Sequence, residues 1–469
     1  MHEIRFGTDG WRGVIAEDFT YANVRKVAYA ISRYVVRNEQ PAHSVIIGFD
    51  NRFGAEQFAR VAAEAFAMTG TPVWLCDEPC PTPAISLLVK QRNAAGGIVI
   101  TASHNPYRWN GIKFKATYGS SALPAIVNKI EAEMKTVMRK GIPALPPRNE
   151  LIHPISFRAP YLNTIEKLVD WDRIRRHPVK LIVDPMHGSA RGLLRDLLSR
   201  HGVNCDEIHG TRDPLFGGVN PEPIEPNVAA LQQAVREGRY DAGLAADGDG
   251  DRIGAVDRDG RFVTPHQIFS LLLWHLAGTR KLSGDVAKTF SSTKMLDKIA
   301  AKLERNIFEV PIGFKYICEL MLTKDILLGG EESGGIGTKL YLPERDATVT
   351  ALLLVELMAW HGKGLGELVQ QLQKEFGEHD YGRVDLELRP GQKEKTIKHF
   401  ANKKLTRFLE WKINKREDMD GVKLTFSDGG WLLVRASGTE PMLRLYAETS
   451  RVDATRRLLD EATRIAKSI

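Results

Sequence analysis

Apolar positions along the chain fall into short unbroken runs separated by stretches of helical spacing, and the pattern recurs. Val45-Ile46-Ile47-Gly48-Phe49-Asp50 is an apolar strand ending in a carboxylate. Phe58, Val61, Ala62, Ala65 and Phe66 follow at helical spacing, then Gly70, then the strand Val73-Trp74-Leu75. Val179-Lys180-Leu181-Ile182-Val183-Asp184 opens a second copy, with Leu193, Leu194, Leu197 and Leu198 as its helix, Gly202 as its stop and Val203 as the start of the next strand. Asp285 to Phe290 with Met295, Ile299 and Leu303 makes a third. Strand–helix–strand units of this kind predict right-handed crossovers and parallel or mixed sheets with helices on both faces.

The copies align again further on. Three strands rich in small residues empty into polar turns: Ala95 to Ile100 into Thr101-Ala102-Ser103-His104-Asn105-Pro106, Ala242 to Ala246 into Asp247-Gly248-Asp249-Gly250-Asp251-Arg252, and Ile326 to Gly330 into Glu331-Glu332-Ser333-Gly334-Gly335. Loops at the carboxyl ends of sheet strands are where α/β proteins bind ligands, so these three are expected to converge on one cleft. Composition shifts at Gly141 to Pro147, and Arg258-Asp259-Gly260 reads as a turn. After about His379 alternating strands (Val384, Leu386, Leu388; Val422, Leu424, Phe426; Leu432, Val434) and two helices predict a small α+β domain. The expected division is 1–147, 148–257, 258–376 and 377–469. The fold class is therefore three similar mixed-sheet α/β domains plus a C-terminal α+β domain.

Composition narrows the function. At 43% hydrophobic and 26% charged residues, the 469-residue chain can build cores, which excludes global disorder. The net charge of +7 suits an anionic small molecule and does not call for nucleic acid. The basic stretch Lys393 to Arg416 has Ile397, Phe400, Leu405, Phe408 and Leu409 at roughly helical spacing, so it reads as a solvated helix face. The opening residues lack the apolar region of a secretory signal, and no run approaches the ~18–20 apolar residues of a membrane span. The four cysteines have neither zinc-site nor disulfide-framework spacing. A cytoplasmic protein with reduced thiols is expected, acting on small molecules without membrane or nucleic-acid partners. Monomer and homo-oligomer are both compatible with the sequence.

The loops carry the chemistry. Ser103 stands in a turn after a strand, without a G-x-S-x-G elbow. As chain neighbours, Ser103 and His104 are expected to point apart, which disfavours a Ser-His-Asp hydrolase. Such a serine can carry a phosphoryl group where a metal and cations neutralise the charge. Asp247, Asp249 and Asp251 offer three carboxylates at alternate positions. Arg252 and Arg258 stand where an EF-hand needs Gly and Glu, so Mg²⁺ shared with a phosphate oxygen fits better. Arg435-Ala436-Ser437-Gly438-Thr439-Glu440-Pro441 can form an anion nest, which Arg444 could join.

Together with Phe6 to Gly13, Asn110-Gly111-Ile112-Lys113-Phe114 and Gly313-Phe314-Lys315, these segments resemble the α-D-phosphohexomutase family, the phosphoglucomutases and phosphomannomutases. The resemblance spans nearly the whole chain. It implies four domains around a cleft, the last similar to the TATA-box-binding-protein fold. It implies that Ser103 is a phosphoserine and that Asp247, Asp249 and Asp251 hold Mg²⁺ with its phosphate. Glu331 and Ser333 would bind sugar hydroxyls, and Arg435, Ser437, Gly438 and Thr439 the non-reacting phosphate. Arg12, His104, Lys113, Arg252 and Lys315 would line the reaction centre, with Lys113 or His104 shuttling the hydroxyl proton. A hexose 1-phosphate would pass through a 1,6-bisphosphate, glucose 1,6-bisphosphate serving as the activating intermediate. In phosphoglucosamine mutases the sugar loop usually has Gln before the Ser and His at its end. Here it has Glu332 and Gly335, so glucose phosphates are the first expectation and mannose phosphates the second. Phosphoglucosamine mutase and a catalytically silent sugar-phosphate-binding relative are the alternatives.

Overall fold

A computed structural model describes residues 4–6, 9–39, 44–389, 391–436 and 442–469. Two compact units emerge, one within residues 1–285 and 313–368, the other within 286–312 and 369–469. The segment expected as a third domain is thus divided between them.

In the first unit, one sheet runs in the order Trp11–Val14, Trp109–Ala116, Gly96–Ile100, Val45–Phe49, Val73–Cys76, Ile152–Ile155. Val45–Phe49 lies parallel to both of its neighbours, while Trp109–Ala116 is antiparallel on both sides. The strand period of two explains the fully apolar runs. Val45, Ile47 and Phe49 join the core with the helices Tyr21–Asn38 and Ala55–Met68. On the other face Gly48 and Gly97 meet Ile85 of the helix Thr82–Gln91. The segment 141–147 has no helix or strand, but it does not end this sheet: Ile152–Ile155 returns beyond residue 147 to pair in parallel with Val73–Cys76.

A second sheet has the order Phe262–Val263, Ile253–Asp257, Ala242–Ala246, Leu181–Asp184, Cys205–Glu207. Its last strand starts at Cys205, two residues later than the expected Val203. Ile326–Gly330 pairs antiparallel with Ile336–Thr338, and Asp346 caps the buried helix Ala347–His361 by accepting the Val349 N–H at 3.0 Å. The three strand-end loops do meet within this unit. Ile253 N–H donates to the Gly334 carbonyl at 3.1 Å, and a Cβ on Gly248 would lie 2.6 Å from the Ser103 carbonyl oxygen.

The strand Asp285–Thr289, all but its first residue in the second unit, pairs in parallel with Ile307–Val310. A separate antiparallel sheet runs Asp380–Glu387, Met442–Thr449, Trp431–Ala436, Val422–Phe426, Trp411–Glu417, Arg407–Phe408, over the helices Gln392–Ala401 and Val452–Ser468. The single helix face expected over 393–416 is therefore corrected. The helix ends at Ala401, and Leu409 at φ +50 turns a two-residue hairpin that pairs Phe408 with Trp411. Those aromatics pack on Phe400 and Phe426, so local spacing yielded to tertiary burial.

Candidate active site

Trp109–Ala116 alternates apolar and cationic residues, so Lys113 and Lys115 share one face of the strand and Ile112 and Phe114 the other. Both lysines are fully buried and each finds acidic partners. Lys113 Nζ lies 2.7 Å from Asp249 Oδ2, 3.1 Å from Asp251 Oδ2 and 3.4 Å from Asp9 Oδ2. Burial opposes its charge, but the three carboxylates outweigh burial and push its pKa up. Lys115 donates to Glu344 at 2.7 Å.

Ser103 sits just past Gly96–Ile100 at φ +54, the left-handed region, which a non-glycine residue holds only when its surroundings enforce it. Its hydroxyl donates to Asp247 Oδ2 at 3.0 Å and lies 3.4 Å from His104 Nδ1. The two neighbouring side chains thus approach each other, contrary to expectation, because the left-handed turn swings Ser103 back. A carboxylate nevertheless reaches the serine directly, unlike the relay of a hydrolase triad.

Asp247, Asp249 and Asp251 are buried, with one ligand atom of each within 4.8 Å of the others. Asp247 Oδ1 accepts the N–H groups of Asp251 and Arg252 at 2.9 and 3.1 Å, which curls the loop. Burial and the two neighbouring carboxylates push the Asp247 pKa well up. Asp249 is held low: burial resists ionisation, but Lys113 and the Thr82 hydroxyl overcome it. The Thr82 N–H also bonds the Asp249 carbonyl, at 2.8 Å. Asp249 Oδ1 and Asp251 Oδ1 are buried and have no hydrogen-bond partner among the described residues. Buried carboxylate oxygens without a hydrogen bond, in a cluster that reaches a serine hydroxyl, are the donor set of a hard divalent cation, so the residues fit Mg²⁺.

Arg12 Nη1 bonds Asn105 Oδ1 in the Ser103 turn. The Arg12 pKa is lowered by burial and by the charge of Arg252, whose Nε is 3.8 Å from Asp251 Oδ1. Glu331 is buried and bonded to Arg345 Nη1 at 3.1 Å; burial pushes its pKa up against that arginine. Ser333 lies half-buried in the turn after it. Lys315 stands apart on the first turn of Phe314–Thr323, 5.2 Å from the Tyr316 ring, and makes no ion pair among the described residues. In the second unit, Arg435 Nε bonds Asp420 at 2.9 Å, and Arg444 lies directly opposite Arg435 on the next strand. Ser437, Gly438 and Thr439 lie outside the described residues.

Several residues escaped sequence reasoning. Arg345, buried, bonds Asp9 at 3.0 Å, Asp251 at 2.9 Å and Glu331 at 3.1 Å, tying three loops together. Its Cδ would stand 2.4 Å from a Cβ on Gly335, so it fills the room that a side chain at 335 would take. Asp9 is held well below the usual carboxylate range: burial opposes ionisation, but Lys115, Lys113 and Arg345 prevail. The signal available was the charged run Glu344-Arg345-Asp346 just before an apolar helix. Asp50 and Arg52, also missed, underlie the Ser103 turn. Among the described residues no helix is long and apolar enough to cross a membrane.

A hydroxyl on an enforced turn, a divalent-cation donor set and surrounding buried cations make a site for moving a phosphoryl group. Comparison with known proteins agrees. Residues 3–140, 159–260 and 264–376 match the alpha/beta/alpha domains I, II and III of phosphoglucomutase/phosphomannomutase, and 393–465 match its C-terminal domain. The chain belongs to this family, the α-D-phosphohexomutases, with their four-domain α/β architecture and isomerase chemistry. The phosphoglucomutase/phosphomannomutase of Thermococcus kodakarensis is 30% identical over 461 residues, covering 97% of this chain and 96% of its own. The phosphoglucosamine mutase of Carboxydothermus hydrogenoformans is 30% identical over 475 residues, covering 99% of each. A Thermus thermophilus crystal structure, described as that of a putative phosphomannomutase, superposes with a TM-score of 0.87 at 33% identity and 99% coverage of both chains.

Proposed function

We propose that this chain interconverts glucose 1-phosphate and glucose 6-phosphate, with mannose phosphates as second substrates, through a phosphoserine at Ser103. The observation that carries this reading is the Ser103 hydroxyl 3.0 Å from Asp247, in a carboxylate cluster where two buried oxygens have no hydrogen-bond partner among the described residues. Phosphoserine brings about −1.5 to −2 charges at neutral pH, which three carboxylates alone would repel. Asp247, Asp249 and Asp251 hold Mg²⁺, which supplies electrostatic stabilisation to the transferring phosphoryl group.

Arg12 and Arg252 flank the transferring group. Lys113 or His104 shuttles the proton of the hexose hydroxyl: His104, with Nδ1 3.4 Å from the serine oxygen, can take it, whereas Lys113, held charged by its carboxylates, serves only as a donor. The phosphoserine phosphorylates the 6-hydroxyl of the bound 1-phosphate. Glucose 1,6-bisphosphate then turns over and returns its 1-phosphate to Ser103. Glu331 and Ser333 hold sugar hydroxyls, and Lys315 adds a cation for substrate binding. Arg435 and Arg444, with Ser437, Gly438 and Thr439, take the phosphate that is not reacting.

Phosphoglucosamine mutase is the second reading, favoured by relatives such as the Carboxydothermus enzyme. The test is a mutase assay on glucose, mannose and glucosamine 1-phosphates with Mg²⁺ and catalytic 1,6-bisphosphate. Turnover should be highest on glucose 1-phosphate and absent in folded Ser103→Ala protein. Turnover by that variant refutes the phosphoserine, and preference for glucosamine 1-phosphate selects the second reading.

A further inference from the structure

Beneath the Ser103 turn lies an arginine that no solvent reaches. The Arg52 side chain has 0% exposure, as does Asp50. Arg52 Nε donates to Asp50 Oδ2 at 3.0 Å. Nη1 donates to the carbonyls of Pro106 and Trp109 at 2.9 and 3.0 Å. Nη2 donates to the carbonyls of Ser103 and Asn105 at 2.6 and 2.7 Å. The five N–H groups of a guanidinium are thereby all satisfied, four of them on the backbone of one turn.

Asp50 completes the brace. Its carboxylate accepts the Arg52 N–H at 2.9 Å and the Thr101 hydroxyl at 2.6 Å. Thr101 Oγ1 accepts the Ser103 N–H at 2.9 Å. The backbone of Ser103 is therefore gripped on both sides, by Thr101 at its N–H and by Arg52 at its carbonyl. The guanidinium also lies over the Phe216 ring, 4.9 Å from its centroid. This grip explains how a serine stays at φ +54 without glycine's freedom. Only a rigid planar fork presents donors to four carbonyls at once; an ammonium has three donors and no fixed plane.

We propose that Arg52, braced by Asp50, is a positioning residue for phosphoryl transfer: it fixes the 103–109 backbone so that the serine oxygen stays aimed at Asp247 and the incoming hydroxyl. This rests on Ser103 being the phosphoryl carrier. Arg52 does not touch substrate. It acts through the turn, where a displacement of about 1 Å costs on the order of 100-fold in rate.

The test uses the full chain as wild type, Arg52→Lys and Asp50→Asn. Intact-protein mass spectrometry after incubation with glucose 1,6-bisphosphate reads phosphate on Ser103, and thermal melts establish folding. Steady-state kinetics on glucose 1-phosphate give kcat and KM, and single-turnover experiments give the ratio of phosphoryl transfer to hydrolysis. Arg52→Lys should fold, accept phosphate, lose about 100-fold in kcat with KM within about threefold, and lose more phosphate to water per transfer. Asp50→Asn, which keeps the fork, should lose about tenfold in kcat. A structural role alone would lower the melting temperature while leaving kcat per folded molecule and the transfer ratio unchanged. Wild-type kcat in folded, phosphorylated Arg52→Lys overturns the proposal alone. Unfolding of both variants makes Arg52 a fold determinant and overturns it too. Absence of phosphate on wild-type Ser103 overturns the phosphoserine and the proposal with it.

Discussion

Lys113→Met tests the charge balance of the site without changing its volume much. Lys113 is 2% exposed and its ammonium touches two carboxylates that are fully buried, at 2.7 and 3.1 Å. Removing it leaves Asp249 with the Thr82 hydroxyl, and Asp251 with Arg345. Removing one partner of a buried ion pair costs about 3–5 kcal/mol, chiefly the uncompensated charge left behind. At about 2.1 cal/mol/K of unfolding entropy per residue, a 469-residue chain shifts by about 1 °C per kcal/mol, so Tm falls by about 3–5 °C in chelator. A cation bound to the folded state alone stabilises by about 2.7 kcal/mol at 100 times its Kd. The variant's freed carboxylates should bind Mg²⁺ more tightly than those of the wild type. The Tm deficit should therefore shrink at saturating Mg²⁺. The assay is a thermal melt of both proteins in chelator and in Mg²⁺. A variant that melts with the wild type in chelator, or a deficit unchanged by Mg²⁺, would refute the claim that Lys113 balances the carboxylate cluster. Lost turnover alone decides nothing here, because Lys113 is also a candidate proton shuttle.

Gly248→Ala would set a Cβ 2.6 Å from the Ser103 carbonyl oxygen, a backbone atom that cannot swing aside. Its kcat should fall about 100-fold as the two loops part, and wild-type kcat in steady-state assays would contradict the close approach. Burial pushes the Asp346 carboxyl up to about 7 against its helix-cap and Tyr161 hydrogen bonds. Folding then favours its protonated form, so this contribution to stability is full below about pH 4 and lost as pH rises through 7. Asp346→Asn should gain stability relative to wild type across that window in urea melts, and a pH-independent difference would refute it. Arg435→Ala should lower kcat/KM for glucose 1-phosphate about 10- to 100-fold, the worth of a charge-assisted contact, with Arg435→Lys recovering part. An unchanged kcat/KM would make that strand end an ordinary turn.

What was legible in the chain followed local pattern. The buried strands Gly96–Ile100, Ala242–Ala246 and Ile326–Gly330 keep, to within a residue, the bounds their apolar runs set, because a strand buried on both faces leaves no polar residue inside it. The carboxylate triad was legible because its three members sit within five residues. Arg345 and Arg52 were not, since each is defined by partners far away in sequence: Asp9 lies 336 positions from Arg345, and the Ser103 carbonyl 51 positions from Arg52. The Ser103–His104 contact was misjudged because it depends on a backbone dihedral, and no residue type at 103 announces φ +54. Phe408 and Leu409 kept helical spacing with Phe400, yet a two-residue hairpin serves the same burial.

The repeat visible in the sequence has a physical use that neither copy shows alone. Asp50 and Asp184 end equivalent strands, and each accepts the N–H of the residue two positions on, Arg52 at 2.9 Å and Met186 at 2.7 Å. From this common start they diverge. Asp50 braces the turn that carries the hydroxyl, through Arg52 and Thr101. Asp184 takes His209 at 3.0 Å, and its following loop supports the carboxylates: Ser189 N–H donates to the Gly248 carbonyl at 3.0 Å. The two braces are joined. Asn51, next to Asp50, donates to the carbonyls of His187 and Gly188 at 2.6 and 2.7 Å. Hydroxyl and carboxylates thus sit on two copies of one strand-end device, bonded to each other below the site. Transfer between a serine and a bound sugar requires a fixed spacing between nucleophile and charge-stabilising groups. A rigid link between the two supports fixes that spacing.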